Sequence, residues 1–257
     1  MLVSAAVCPC PPLLVPALAA GAAPELDAAR DACADALGVL AASRPDRLVV
    51  VGPAAGPQDL EPYPHGAHGT FRGYGVALDV TLDGTLHGTP AAPGHGEPPT
   101  LPASLAVAAW LLGNVTWSAS PIQGLGVREP LDTERCIKSG RDIAARDERV
   151  ALLVMGDASA CRTLKAPGYL DDRAAAFDAE VARALADADT AAIAALDEKL
   201  ATELQAAGRA CWQLLAGAAE GRSLRGALLY EAVDHRLGAG GGHLLGEGGG
   251  DRVADAM

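Results

Sequence analysis

Three apolar runs in this chain stop at turns built from small or reactive residues. Met1-Leu-Val-Ser-Ala-Ala-Val7 leads into Cys8-Pro9-Cys10-Pro11-Pro12. Arg47-Leu-Val-Val-Val51 leads into Gly52-Pro53-Ala54. Val150-Ala-Leu-Leu-Val154 leads into Met155-Gly156-Asp157-Ala158-Ser159-Ala160-Cys161. A buried parallel sheet presents its chemistry at strand ends of this kind. The groups on offer are the thiol of Cys10, the carboxylate of Asp157 and the hydroxyl of Ser159, with Cys161 and Lys165 just beyond. A nucleophilic Cys10 needs a lowered pKa and a base, and no histidine lies near it in the chain. The plainer role is a buried thiol that fills volume. Ser159 has no histidine in a triad order. Asp157 and Ser159 either bind a ligand, helped by the backbone N–H groups of the small-residue turn, or close that turn through local side-chain bonds. The sequence leaves both open. Lys165-Ala-Pro167-Gly168-Tyr169 follows and is placed to close over the same edge.

Histidines offer one weaker option. Tyr63-Pro-His65-Gly-Ala-His68-Gly carries two of them three apart, a pair that a metal could use. The loop is also polar and Gly-rich, where exposed histidines are common. His65 and His68 are thus a weak alternative for metal and a candidate lid.

The elements that must position these groups follow from periodicity. Pro24–Ser43 predicts a helix, with Leu26, Ala29, Cys33, Leu37 and Leu40 as its apolar stripe. Strand, helix and strand within the first 51 residues imply a right-handed parallel crossover. Tyr74–Asp83 alternates as a half-buried strand, expected to run antiparallel. Helices are expected over Pro102–Gly113, Asp132–Arg146, Asp171–Ala186, Thr190–Leu196 and Glu198–Ala218, the last capped by Asp197. Short strands are expected over Val115–Ser120 and Gly226–Tyr230. The sum is a three-layer α/β domain over residues 1–235, with a mainly parallel sheet and helices on both faces. Residues 236–257 are so glycine-rich that a disordered tail is expected.

Composition narrows the function classes. The chain has 257 residues, 50% of them hydrophobic, and a formal net charge of −12. That charge repels phosphate backbones, so nucleic acid is not an expected partner. No run approaches 18 apolar residues, so no membrane span is expected. The N-terminus lacks the basic region of a secretion signal, which points to the cytoplasm. The six cysteines lack paired zinc spacings and read as reduced, buried thiols. An unidentified small molecule or protein is the expected partner, and a homo-oligomer is compatible with the sequence.

The order and context of these segments resemble the class III extradiol ring-cleavage dioxygenases of the LigB-like superfamily, over roughly residues 1–230. The resemblance implies the same three-layer α/β fold. In catalytic members it implies non-haem Fe(II) held by histidines after the first and second strands and by a glutamate one turn before a tryptophan on a late helix. A catalytic histidine closes the third turn. The matching positions here read Cys10, Ala54, Ala160 and, counting back from Trp212, Gly208, with Glu203 further upstream. Fe(II) of this kind needs two imidazoles and a carboxylate on one face, which alanine and glycine cannot supply. The expectation is a protein of this fold without the iron site, with no cofactor and no metal. It would bind a small molecule or partner where Cys10 to Pro12, Ala54 and Gly156 to Cys161 meet. The alternative is an active oxidoreductase, an aromatic ring-opening dioxygenase or another enzyme, with a site rebuilt at Cys10, Asp157 and Ser159.

Overall fold

The structure, a computed structural model, describes residues 1–87, 100–146, 148–233 and 240–248. Its centre is three strands that read as unbroken apolar runs: β1 (Leu2–Cys8), β2 (Arg47–Ala54) and, later in the chain, β8 (Val150–Met155). β1 and β8 are buried along their whole length. That pattern marks strands covered on both faces. β8 lies between β1 and β2 and pairs in parallel with each. Between β2 and β8 the chain forms β3 (Leu60–Tyr63), β4 (His68–Thr70), β5 (Asp79–Thr81), β6 (Thr85–His87) and β7 (Ile122–Arg128). β7 pairs in parallel with β2, and β3 runs antiparallel along the outer side of β7. β9 (Leu224–Arg225), β10 (Leu228–Val233) and β11 (Gly240–Gly248) close the chain. The sheet order is β10-β11-β1-β8-β2-β7-β3. Along that path, only β11 and β3 oppose the common direction.

Side chains sort by alternation into two cores. Val49 and Val51 of β2 and Val150, Leu152 and Val154 of β8 face one layer; Leu48, Val50, Ala151, Leu153 and Met155 face the other. The second face is covered by α2 (Asp27–Ala42), α3 (Ala103–Asn114) and the separate small sheet β4-β5-β6. A short α1 (Pro16–Ala19) and a 3-10 stretch, Ala20–Leu26, lead into α2, whose buried stripe is Ala29, Cys33, Ala36, Leu37 and Leu40. The first face is covered by α4 (Thr133–Ala144), α5 (Ala174–Ala186), α6 (Thr190–Ala194), α7 (Glu198–Glu203) and α8 (Arg209–Ala218). Asp132, Asp189 and Asp197 cap α4, α6 and α7 by accepting backbone N–H bonds, each satisfying a first-turn donor that has no intrahelical partner. α4 and α8 approach backbone to backbone. A Cβ on Gly140 would sit 2.6 Å from Ala218 N, and one on Gly217 would sit 2.7 Å from Ile137 C.

The three-layer α/β architecture with a mainly parallel sheet agrees with the sequence reading, but four parts differ. Tyr74–Asp83 is not a strand of the main sheet: Gly75 turns the chain at φ 83, and only Asp79–Thr81 pairs, in the small sheet. The strand expected over Val115–Ser120 lies at Ile122–Arg128 instead, and the earlier stretch is a turn in which Trp117 Nε1 donates to Ser120 O at 3.0 Å. The long helix expected over Glu198–Ala218 is two, broken around Gln205 at φ 55. Finally, Gly240–Gly248, expected to be disordered, is β11, hydrogen-bonded to β10 on one side and β1 on the other. Glycine costs about 0.5–1 kcal/mol per residue in a strand. Ladders on both sides offset that cost, and they satisfy the outer edge of the fully buried β1. The domain therefore extends past 235 to at least Gly248. Residues 236–239 and 249–257 of the expected tail lie outside the described residues. Among the described residues no helix is long and apolar enough to cross a membrane.

Candidate functional site at the carboxyl edge of the sheet

Parallel pairing aligns the ends of β1, β8, β2 and β7 along one edge. Cys8 is level with Met155, Val51 with Val154, and Ala54 with Arg128. Because β8 separates β1 from β2, the chain leaving at Cys10 and at Ala54 is two strand spacings apart, about 10 Å. Cys10, Ala54 and Asp157 thus share one edge.

Cys10 and Asp157 are joined directly. The Cys10 N–H donates to Asp157 Oδ1 at 3.0 Å, and its thiol donates to Oδ2 at 3.4 Å. Gly156 N donates to Cys8 O at 3.0 Å and extends the ladder by one bond. Burial, then the Asp157 charge, pushes the Cys10 thiol well above its ordinary pKa, and the adjacent Cys211 adds to the shift. A nucleophilic cysteine needs the opposite shift. Pro11 is half-buried beside this pair.

The turn after Asp157 leaves the edge. Ser159 is fully buried; its N–H and hydroxyl donate to Asp178 Oδ1 and Oδ2 at 2.9 and 2.8 Å, and Arg162 Nη1 completes the group at 3.0 Å from Oδ2. This hydroxyl docks α5 onto the end of β8. Ala160 N donates to Leu204 O, and the Cys161 thiol donates to Gly168 O and Leu204 O. These bonds fasten the turn to the end of α7. Lys165 is exposed on the loop beyond. Of the residues singled out from sequence, Cys10, Pro11, Ala54, Gly156 and Asp157 belong to the edge, while Ser159 and Cys161 are structural.

The two histidines do not act as a pair. β3 runs from the carboxyl edge, where Leu60 pairs with Val127, back to Tyr63 opposite Gly124. His65 therefore emerges near the amino end of β7, and its Nδ1 accepts the Ile122 N–H at 3.3 Å. His68 is exposed in β4 and pairs with Thr81. The His68 carbonyl accepts the Leu101 N–H at 2.7 Å just before α3, whose Ser104 hydroxyl donates to Pro53 O near the end of β2 at 2.6 Å, so only His65 is carried away from Cys10 and Asp157; among the described residues no group of three or more His, Cys, Asp or Glu is arranged to hold a metal.

Sequence reading misses the floor of the edge. Glu129 follows β7. It accepts the Ala210 N–H at 2.7 Å and pairs with the buried Arg209 at 2.6 Å. Arg209 also donates to Leu131 O and Gln213 Oε1. Burial pushes the Glu129 carboxyl up, while the Ala210 N–H and Arg209 oppose the shift. The group anchors α8 at the start of its first turn, where a carboxylate complements the helix dipole. Its role is hidden in the sequence because the pattern suggests a strand at Val115–Ser120 and not at Ile122–Arg128, the strand that presents it. Gly208, the N-cap of α8, lies under Gly156: a Cβ on Gly156 would meet Gly208 Cα at 2.6 Å and Trp212 Nε1 at 3.2 Å.

These residues do not fit non-haem Fe(II). Ala54, Ala160 and Gly208 carry no side-chain donor atom. Cys10 offers a thiol whose pKa is raised rather than lowered, and Glu129 is committed to α8.

No protein-family model matches the chain, and no curated protein matches it. Among solved structures it is similar to the crystal structure of an uncharacterized protein, JW3007, from Escherichia coli K12. The TM-score is 0.51 and the identity 14%, over 95% of this chain and 99% of that one. At this identity the likeness speaks for the fold.

Proposed function

We propose that this chain is a metal-independent binding protein on the LigB-like frame of the extradiol dioxygenases, taking a small molecule or partner at the carboxyl edge of its sheet. The observation that carries the reading is the Cys10–Asp157 pair. The thiol that stands where the resemblance implies an iron-binding imidazole donates to a carboxylate, and burial keeps it protonated. It is neither a ligand nor a nucleophile in that state. Ring cleavage would need a centre to hold the diolate and dioxygen and a base to take a proton, and Ala54, Ala160 and Gly208 provide neither. The rebuilt enzyme site is disfavoured because the Ser159 hydroxyl is bound to Asp178. α/β sheets bind ligands at this edge, and Asp157 is its half-buried polar group.

Two measurements test the reading. Protein loaded anaerobically with Fe(II) and dialysed should retain far less than one iron per chain and should not turn over protocatechuate or simple catechols. Metabolites that co-purify, identified by mass spectrometry, should be lost on Asp157→Lys. Stoichiometric iron, or a yellow ring-fission product whose formation stops on chelation, would end the proposal.

A further inference from the structure

We infer that β11 is an exchangeable strand, and that the slot it fills between β1 and β10 also takes the β11 of a second copy of this chain. The slot is walled on every side. β1 and β10 bound its edges, both antiparallel to β11. α5 covers it from the first face of the sheet and α2 from the second. What enters must therefore be extended and must pair through its backbone on both sides. Five of the nine residues of β11, Gly240, Gly241, Gly242, Gly246 and Gly248, are glycine. On release each glycine regains more backbone freedom than another residue would, a factor of about two to five in the opening equilibrium, and five together multiply to about sixtyfold or more. The neighbouring strands carry no such load: β1 and β8 contain no glycine, β2 contains one and β7 two. β11 is thus the strand of the sheet that opens most readily. Release bares the outer edge of β1, which is uncharged and buried along its length. An apolar strand with open backbone groups pairs with whatever strand fits it. The fit here is selective. Ser4 to Val7 pair with Glu247 to Leu244 without a break, whereas the β10 side shifts register between Leu228 and Glu231. Arg225 of β9 lies in register with Glu247, an opposite charge that the incoming strand carries with it. The β11 of another copy meets all of these conditions because it is the same segment, and reciprocal exchange leaves both slots filled.

Mixed cysteine variants test the exchange. Ser4 and Glu247 are partners in register, which places their Cα atoms about 4.5–5.5 Å apart, within disulfide reach. One full-length copy carries Ser4→Cys and another carries Glu247→Cys. The two are incubated together with oxidised glutathione and read by non-reducing electrophoresis and peptide mass spectrometry. The disulfide between the two copies should accumulate to at least about tenfold above that of a control mixture, Ser4→Cys with Lys165→Cys on the exposed loop, because each exchange is trapped as it occurs. A yield equal to the control would overturn the inference. Both changes in one chain should form the bond internally; if they do not, β11 does not lie in the slot and the inference falls with it. Hydrogen exchange on the parent chain needs no variant. Peptides from Gly240–Gly248 should exchange at least about tenfold faster than those from Val150–Met155. Equal protection of the two strands would overturn the inference even where the cysteine variants fail to fold.

Discussion

Replacing Asp157 with alanine should cost about 2 kcal/mol, because it leaves a buried donor unmet. The Asp157 carboxylate accepts the Cys10 N–H at 3.0 Å and the Cys10 thiol at 3.4 Å. It thereby ties the exit of β1 to the end of β8. Cys10 is 6% exposed, so water cannot easily replace the lost acceptor. An unsatisfied buried N–H costs about 1–3 kcal/mol, and the thiol, a weak donor, adds little. With a urea m-value of about 2 kcal/mol/M the midpoint should fall by roughly 1 M, with m unchanged. Asp157→Asn keeps one oxygen for the N–H and should lose less than half as much. It also removes the charge that, after burial, holds the Cys10 thiol up. Alkylation of Cys10 by iodoacetamide at about pH 8.5, followed by peptide mass spectrometry, should then rise by about two- to fivefold, limited by the burial that remains. If both variants stay within about 0.5 kcal/mol of the parent, or if Cys10 alkylation is unchanged in Asp157→Asn, the pair does not hold this edge as argued.

Three further outcomes are expected. Gly217→Ala should destabilise by about 3 kcal/mol or more, since the new methyl group would meet the α4 backbone at Ile137 and neither helix can yield locally; a midpoint unchanged in urea would contradict the packing. Native protein at about pH 7.5 should show none of its six thiols to Ellman's reagent within minutes and all six in denaturant, because every cysteine is buried and burial pushes the Cys136 thiol up to about 12, far above the ordinary thiol range. Burial, helped by the nearby Glu61, lifts the Tyr63 phenol to about 12; the fold therefore favours its protonated form, that stability is complete below the ordinary tyrosine pKa of about 10 and is lost as pH rises toward 12, and an ultraviolet phenolate titration should resolve one late phenol.

The parts of the fold that were legible in the sequence are those where one physical signal dominates. Arg47–Val51 and Val150–Val154 are unbroken apolar runs, and β2 and β8 lie there with small extensions. Asp132–Arg146 is a charged stretch, and α4 lies within it over Thr133–Ala144. β7 escapes such a reading because Ile122-Gln-Gly-Leu-Gly-Val-Arg128 carries two glycines and no clean alternation. Those glycines are there because Tyr63 and Leu82 press on Gly124, and Ala54 and Tyr63 on Gly126, a reason that exists only in three dimensions. The break between α7 and α8 is hidden by the helix-forming alanines around it. At the site, strand-end logic placed Cys10, Ala54 and Asp157 on one edge. It could not show that Ser159 turns toward Asp178, nineteen residues on, or that His65 returns to the opposite edge, because each depends on a neighbour distant in the chain.

β1 precedes both of its partners by a long way. Leu2 pairs with Val150, and Ser4 with Glu247. During synthesis this uncharged apolar strand must therefore wait with both edges bare until more than half of the chain has appeared for one side, and nearly all of it for the other. Contacts this distant in sequence slow folding, since loop closure precedes any gain from pairing. An apolar strand with unpaired edges also templates association between chains. The interval before β8 arrives is thus the period of greatest exposure to misassembly. Charge on the rest of the molecule, a net −12, keeps nascent copies apart during it.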